Sequence, residues 1–283
     1  MSISVYRTAW GLVGPNLRWQ ELDAFTRDAA AEGYAGVEFP LFYMDAGAGG
    51  RDATEGRVRS ALADTGLGYI ALIATRPAHW GDRAAHFESF RTQVSQARAM
   101  GATRAAVHAG ADSFDPLTAR DFYRDCLALA QDEGLDACFE THRGRALNDP
   151  WRTRDLLEAI PELRLTSDLS HWLVVVDRMP HDITDLFEEA SRRTGHLHAR
   201  IGHEKGPQVP DPRDPIWSEH VALHRHWWQI SVNAAKARGE VLTACSEFGP
   251  PPYMNAEPFS QKPAADIVEV NDWMRGRLVE WFS

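Results

Sequence analysis

The chain has 283 residues, 44% apolar and 25% charged, with a formal net charge of −10. That length buries a core without disulfide or metal staples, and it suits either two small domains or one α/β barrel of about 250 residues. The acidic balance speaks against a nucleic-acid backbone as partner, no apolar run approaches the ~18 residues of a membrane span, and the opening MSISVYRTAW has no basic start followed by an apolar stretch. Cys126, Cys138 and Cys245 fit no disulfide or zinc-knuckle spacing, and Cys138 and Cys245 sit in apolar runs as small core residues. The expected compartment is therefore reducing, the cytoplasm.

In chain order, short apolar runs at residues 3–9, 36–39, 69–74, 104–108, 137–140, 163–168, 197–201 and 241–247 read as strands. Between them lie amphipathic segments. WQELDAFTRDAAAEGY puts Leu22, Phe25, Ala29 and Ala30 on one face and ends at Gly33. The segment 84–102 stops at Gly101, and 118–135 starts at Thr118 as N-cap and stops at Gly134. Residues 150–163 open with Pro150 and are broken by Pro161, and 181–196, 217–240 and 263–282 complete the helical set. Strict strand–helix alternation implies a parallel sheet, and about eight units in this length predict a closed (β/α)₈ TIM barrel of the α/β class rather than a doubly wound sheet. No GxGxxG follows the first strand, and no composition shift divides residues 1–283, which read as one domain. The longest irregular stretch, GHEKGPQVPDPRDP at 202–215, follows the seventh strand on the face where barrel sites lie, and is expected to form a wall or lid.

Charge gathers at the ends of the last four strands. ACFETHRGR passes from an apolar strand to Glu140, Thr141, His142, Arg143, Gly144 and Arg145, a costly strand tip unless something binds there. Asp168 ends the sixth strand in LTSDLSHW, His198 the seventh in HLHAR and Glu247 the eighth in LTACSEFG. A single acid at a strand end is more often a cap or a solvated side chain. Four in succession around one barrel mouth make a hard, oxygen-rich site for one divalent cation, with Mn²⁺ the leading choice and Mg²⁺, Co²⁺ or Zn²⁺ as alternatives. On a strand, alternate side chains share a face, so Arg200 is expected to point with His198 into the mouth, and His203 is a similar candidate. His108, in AAVHAGAD, faces the same mouth or is a core histidine satisfied by backbone. His142, Arg143 and Arg145 either orient carboxylates, bind an acidic or polyhydroxylated substrate, or are surface residues of a loop.

GVEFP at strand two, VHAG at four, ETHRGR at five, DLSH at six, HAR at seven and SEFG at eight together resemble the xylose-isomerase-like TIM-barrel superfamily of sugar (phosphate) isomerases and epimerases. The resemblance spans essentially the whole chain and is similar in kind to inosose dehydratases, hydroxypyruvate isomerases and ketose 3-epimerases. It implies Glu140, Asp168, His198 and Glu247 as metal ligands, Glu140 and Glu247 as the acid/base pair on opposite faces of a keto-sugar, and His171 of the D-x-x-H pattern as a substrate contact. It also implies a small sugar substrate, Glu38 in a structural role, and a homo-oligomer.

The pattern departs from the ketose 3-epimerases at two places. Their extra carboxylate six residues after the first Glu falls here on Ala146, and their Arg six residues after the ligand His falls on Glu204. A lyase of the inosose dehydratase or 3-keto-glycoside type therefore remains the alternative, because enolisation followed by loss of a leaving group needs the same site. An endonuclease-IV-like nuclease would need histidines at the ends of strands two and three, where the sequence has Glu38-Phe39-Pro40 and Thr75-Arg76-Pro77 with only His79 nearby. A non-catalytic binding subunit would lack both metal and enolisation.

Overall fold

The computed structural model describes residues 2–13, 19–44 and 50–283. The predicted apolar runs become strands of four to seven residues: β1 (Ile3–Thr8), β2 (Gly36–Pro40), β3 (Gly68–Ala74), β4 (Arg104–His108), β5 (Asp136–Glu140), β6 (Arg164–Ser167), β7 (Thr194–His198) and β8 (Leu242–Cys245). All are parallel and pair in chain order, and β8 pairs with β1 to close the barrel. Outside them run α1 (Trp19–Ala31), α2 (Gly50–Thr65), α3 (Arg83–Ala99), α4 (Pro116–Asp132), α5 (Pro150–Ala159), α6 (Ser170–Val176), α7 (Thr184–Arg192), α8 (Ser218–Ala237) and α9 (Ile267–Phe282). None of the described helices is long and apolar enough to cross a membrane.

The elements differ from the sequence reading in several places. Two helices, α2 and α6, were not expected. Among its described side chains α2 buries only Val58, Ala61 and Leu62, too thin a stripe among Arg, Asp and Gly to read as amphipathic. The start of α4 is Pro116 and its cap is Asp115, not Thr118; the Asp115 carboxylate accepts the N–H groups of Leu117 and Thr118 at 3.0 and 3.1 Å. β7 lies three residues earlier than 197–201, because Thr194, Gly195 and His196 are strand residues despite their polarity; all five of its residues are buried. β8 stops two residues before Glu247.

The barrel interior explains that polarity. At its base the Tyr6 ring crosses the start of β2, where a Cβ on Gly36 would lie 2.2 Å from the ring, so only glycine fits. Above it, Arg104 pairs with Asp136 at 2.7 Å and donates to Thr243 Oγ1 at 2.8 Å. Thr243 Oγ1 lies 2.9 Å from His196 Nδ1, and His196 Nε2 lies 2.9 Å from Glu38. Glu38 also accepts from His198 Nε2 at 3.2 Å. A hydrogen-bonded column thus rises through the barrel to the mouth, and every member has a partner, as buried polar groups require.

Candidate metal centre and substrate cavity

Each strand end delivers one group. Glu140 is the last residue of β5 and Asp168 the first after β6. The Thr141 hydroxyl ties these tips together, donating to Asp168 O at 2.9 Å and accepting Asp168 N–H at 3.0 Å. Asp168 Oδ1 also accepts from the Ser170 N–H and hydroxyl at the start of α6. His198 ends β7. Glu247 stands beyond β8 on a segment held by Asn271 of α9, which bonds both the N–H and the carbonyl of Phe248 at 3.0 Å.

Glu140, Asp168, His198 and Glu247 each offer a ligand atom within 4.8 Å of the others, and all four are buried. His198 Nδ1 lies 3.1 Å from Glu247 Oε2 and 3.4 Å from Glu140 Oε2. Among the described residues those same three atoms, His198 Nδ1, Glu140 Oε2 and Glu247 Oε2, are buried without a regular hydrogen bond, and His108 Nε2 closes on Glu140 Oε2 as an ion-pair contact. Unpaired buried polar atoms are costly and rare, and three facing one another are what a cation would satisfy. The residues present therefore fit a hard divalent ion. A neighbouring group, Glu38, His196, His198 and Cys245, is also close enough to ligate. There, however, Glu38 already accepts from both imidazoles, so that group is closed by hydrogen bonds.

Electrostatics follow from burial and crowding. Burial would raise the Glu140 carboxyl, but His108 and His198 overcome it and hold it well below the ordinary range. Burial, with Glu247 and Glu140 beside it, pushes Asp168 up to about 6 against the pull of Arg200. For His198, burial disfavours the charged ring, yet Glu247 and Glu38 hold its pKa well above the usual value. His171 is driven the other way, by burial and then by the charges of His142 and Arg200, so it is neutral. Arg200 donates to His171 Nε2 at 3.0 Å, which leaves the proton on Nδ1, an atom with no partner among the described residues.

The mouth holds a cavity of about 220 Å³ lined by Glu140, Glu247, His108, His142, His171 and Arg200 among others. His108 Nε2 contacts Glu140 directly. Arg200 reaches in, but not by strand alternation, since β7 ends at His198; its guanidinium is drawn to Asp168 and lies 3.7 Å from Glu247. Arg143 stacks over Tyr253, itself a lining residue, at 5.3 Å. Arg145 is buried and does not line the cavity. His203 is not brought to this group: its ring packs on Trp217 at 5.0 Å and its backbone pairs with Gly206. The 202–215 loop is not a wall of the cavity either. Its Gln208 exchanges two hydrogen bonds with Gly249 and so braces the segment carrying Glu247. Pro40 of the GVEFP motif and Trp10, Phe42, Leu72, Arg76 and Tyr253 complete the described lining, and no sequence signal had marked these last five. Ala146 is buried, Glu204 pairs with His220 at 3.0 Å, and His79 is exposed outside the cavity.

The family model of the xylose isomerase-like TIM barrel matches residues 26–227, well over half of the chain, and the chain belongs to that family. No curated protein matches its sequence. Among solved structures it is similar to a D-allulose 3-epimerase from Methylomonas sp. in complex with D-allulose, at 12% identity over 99% of this chain and 97% of that one, with TM-score 0.63. It is also similar to an L-ribulose 3-epimerase (15% identity, 98% and 94% coverage, TM-score 0.64) and to the IOLI protein with a bound zinc atom (12% identity, 99% of both chains, TM-score 0.65). At these identities the likeness is one of fold.

Proposed function

We propose that the protein is a divalent-metal-dependent sugar isomerase or epimerase that moves a proton on a carbon next to a carbonyl. The observation that carries this reading is the convergence of four buried ligand groups, Glu140, Asp168, His198 and Glu247, at the floor of a cavity smaller than the roughly 300–1,000 Å³ of drug-sized sites. Family membership and the epimerase-like fold support it. Glu140, Asp168, His198 and Glu247 would hold the ion, which when bound polarises substrate oxygens and offsets negative charge that develops on them.

The chain's own groups supply the rest. Glu140, kept ionised by His108 and His198, is the base that takes the carbon-bound proton. Glu247 comes from three strands further around the barrel and so meets the substrate from another side, where it returns a proton. Return to the opposite face of the same carbon inverts it, and return to the neighbouring carbon isomerises. The His171 Nδ1–H donates to a substrate oxygen, its tautomer set by Arg200. The rings of Trp10 and Tyr253, 5.0 Å apart, offer apolar faces to the sugar and keep water from the reacting carbon.

The test is metal content by mass spectrometry of the wild type beside Glu247→Gln and His198→Ala, followed by solvent-deuterium exchange into keto-sugars. About one divalent ion per chain, lost or weakened in both variants, is expected. No ion under any loading condition sinks the mechanism.

A further inference from the structure

The mouth cavity shares a wall with a second cavity that the chemistry above does not use. Phe42, in the 3₁₀ turn Leu41–Met44 that follows β2, and Arg76, two residues beyond β3, line both. The Arg76 guanidinium lies 4.2 Å from the centre of the Phe42 ring, so one stacked pair stands between the two spaces. The second cavity, about 490 Å³, is bounded on its other sides by the end of β3 and by α3. The mouth alone, about 220 Å³, is smaller than ordinary ligand sites of roughly 300–1,000 Å³, and the second cavity falls within that range. The pair between them is free to move on the arginine side: Arg76 is exposed and makes no ion pair or hydrogen bond among the described residues.

The wall of the second cavity is built for hydroxyl groups. Gln93 fastens α3 to the barrel there: its amide accepts the N–H of Ala74 and donates to the Ala74 carbonyl, each at 3.0 Å. The same amide donates to Ser89 Oγ at 3.1 Å, which leaves the Ser89 hydroxyl its own proton to give. Thr92 donates to Glu88 O at 3.0 Å and keeps its lone pairs to accept. Glu88 meets Arg91 through Oε2, so its Oε1 remains an acceptor. Leu41 and Phe42 add an apolar patch, and apart from these and Ala74 every residue lining the cavity is polar. The charged ones, Arg76 and Glu88, are of opposite sign, so the cavity selects neither an anion nor a cation. Separate donors and acceptors beside an apolar patch fit a neutral polyhydroxylated ring, each of whose hydroxyls both donates and accepts.

We propose that this cavity is a second subsite, and that the substrate is a keto-sugar carrying a second, uncharged sugar ring at the end remote from the reacting carbon. The reacting ring sits in the mouth, the second ring lies between the 3₁₀ turn and α3, and the Arg76–Phe42 pair flanks the bridge that joins them. This rests on the metal-site reading for where the reacting end lies. It concerns the far ring, for which that reading makes no demand.

The experiment compares binding of D-fructose with that of two keto-disaccharides, isomaltulose and lactulose, to the metal-loaded protein by calorimetry, in the wild type, Thr92→Trp and Ser89→Ala. Thr92 is exposed on α3, so the added indole fills the cavity without entering the core. The readout is the ratio of disaccharide to D-fructose affinity, from which a general loss of fold or metal cancels. At least one disaccharide is expected to bind about tenfold or more tightly than D-fructose, as one or two added hydrogen bonds give. That ratio should fall towards one in Thr92→Trp, fall severalfold in Ser89→Ala, and stay level with added salt, because the second ring carries no charge. A ratio of one or less for both disaccharides, no binding of any sugar at millimolar concentration, or a ratio that survives in Thr92→Trp each overturns the proposal. A disaccharide preference with no deuterium exchange into any keto-sugar would instead overturn enolisation and leave the second subsite standing. Exchange into D-fructose with no disaccharide preference does the reverse.

Discussion

Glu38 accepts hydrogen bonds from two imidazoles at once, His196 and His198, in a fully buried position. Burial would raise its carboxyl, but the charge and hydrogen bond of His198 and His196 hold it well below the ordinary range. The consequence for His198 is orientational: with Nε2–H fixed on Glu38, Nδ1 must face Glu140 and Glu247. Glu38→Gln removes the negative charge that both rings share at Oε2, and supporting contacts of this kind are worth about 10–100-fold in metal affinity. Chelator-competition titration should show a loss of that order with an unchanged far-ultraviolet spectrum. Unaltered affinity would reduce Glu38 to a core residue. The four proposed ligands were legible in the sequence because each follows an apolar run, a pattern local to a few residues. The link from Glu38 to His196 was not, because it joins positions 158 apart. His203 lies away from the group because the chain beyond β7 turns back on itself there, with His203 bridged to Gly206.

Elements were legible where their signal is dense. The closed order of eight strands followed from alternation alone, whereas the place of β7 did not, since its inward residues serve the polar column rather than an apolar core. The segment after β7 is held by α8 through His224, which is buried; its Nδ1 donates to His220 O at 2.8 Å and its Nε2 accepts Gly202 N–H at 3.3 Å. Burial is the main cause that lowers its pKa to about 3. In the unfolded chain the same ring titrates near 6.5. Between those values the unfolded state binds the extra proton, so His224 adds stability at neutral pH that is lost as pH falls below about 6.5. Its share of the slope is at most about 1.4 kcal/mol per pH unit. Denaturant midpoints measured from pH 7 down to pH 4.5 should therefore fall more steeply for the wild type than for His224→Gln. Parallel curves would mean that the ring is protonated in the folded state.

At the scale of the molecule, the site is a joint in the barrel wall. Its four proposed ligands come from β5, the β6–α6 turn, β7 and the segment after β8, and that last segment is clamped by α9 and the 202–215 loop. Without a cation, three buried carboxylates stand together across this joint, and burial first, then Glu247 and Glu140, raises the Asp168 carboxyl. A cation that binds only the folded chain removes that repulsion and stabilises by RT ln(1 + [L]/Kd), about 2.7 kcal/mol at a hundredfold excess over Kd. For a domain of this size such a gain raises the melting temperature by about 5 °C or slightly more. Thermal melts in EDTA, then with Mn²⁺, Mg²⁺ or Zn²⁺ restored, should show that rise for the wild type. Little should remain in His198→Ala, which takes away the only nitrogen ligand. The ion giving the largest rise at equal free concentration is the one the site prefers, a question of cavity size and ligand hardness that strand patterning in the sequence does not encode. A melting temperature indifferent to every ion would mean that Arg200 and His198 already neutralise the joint, and that the barrel closes without metal.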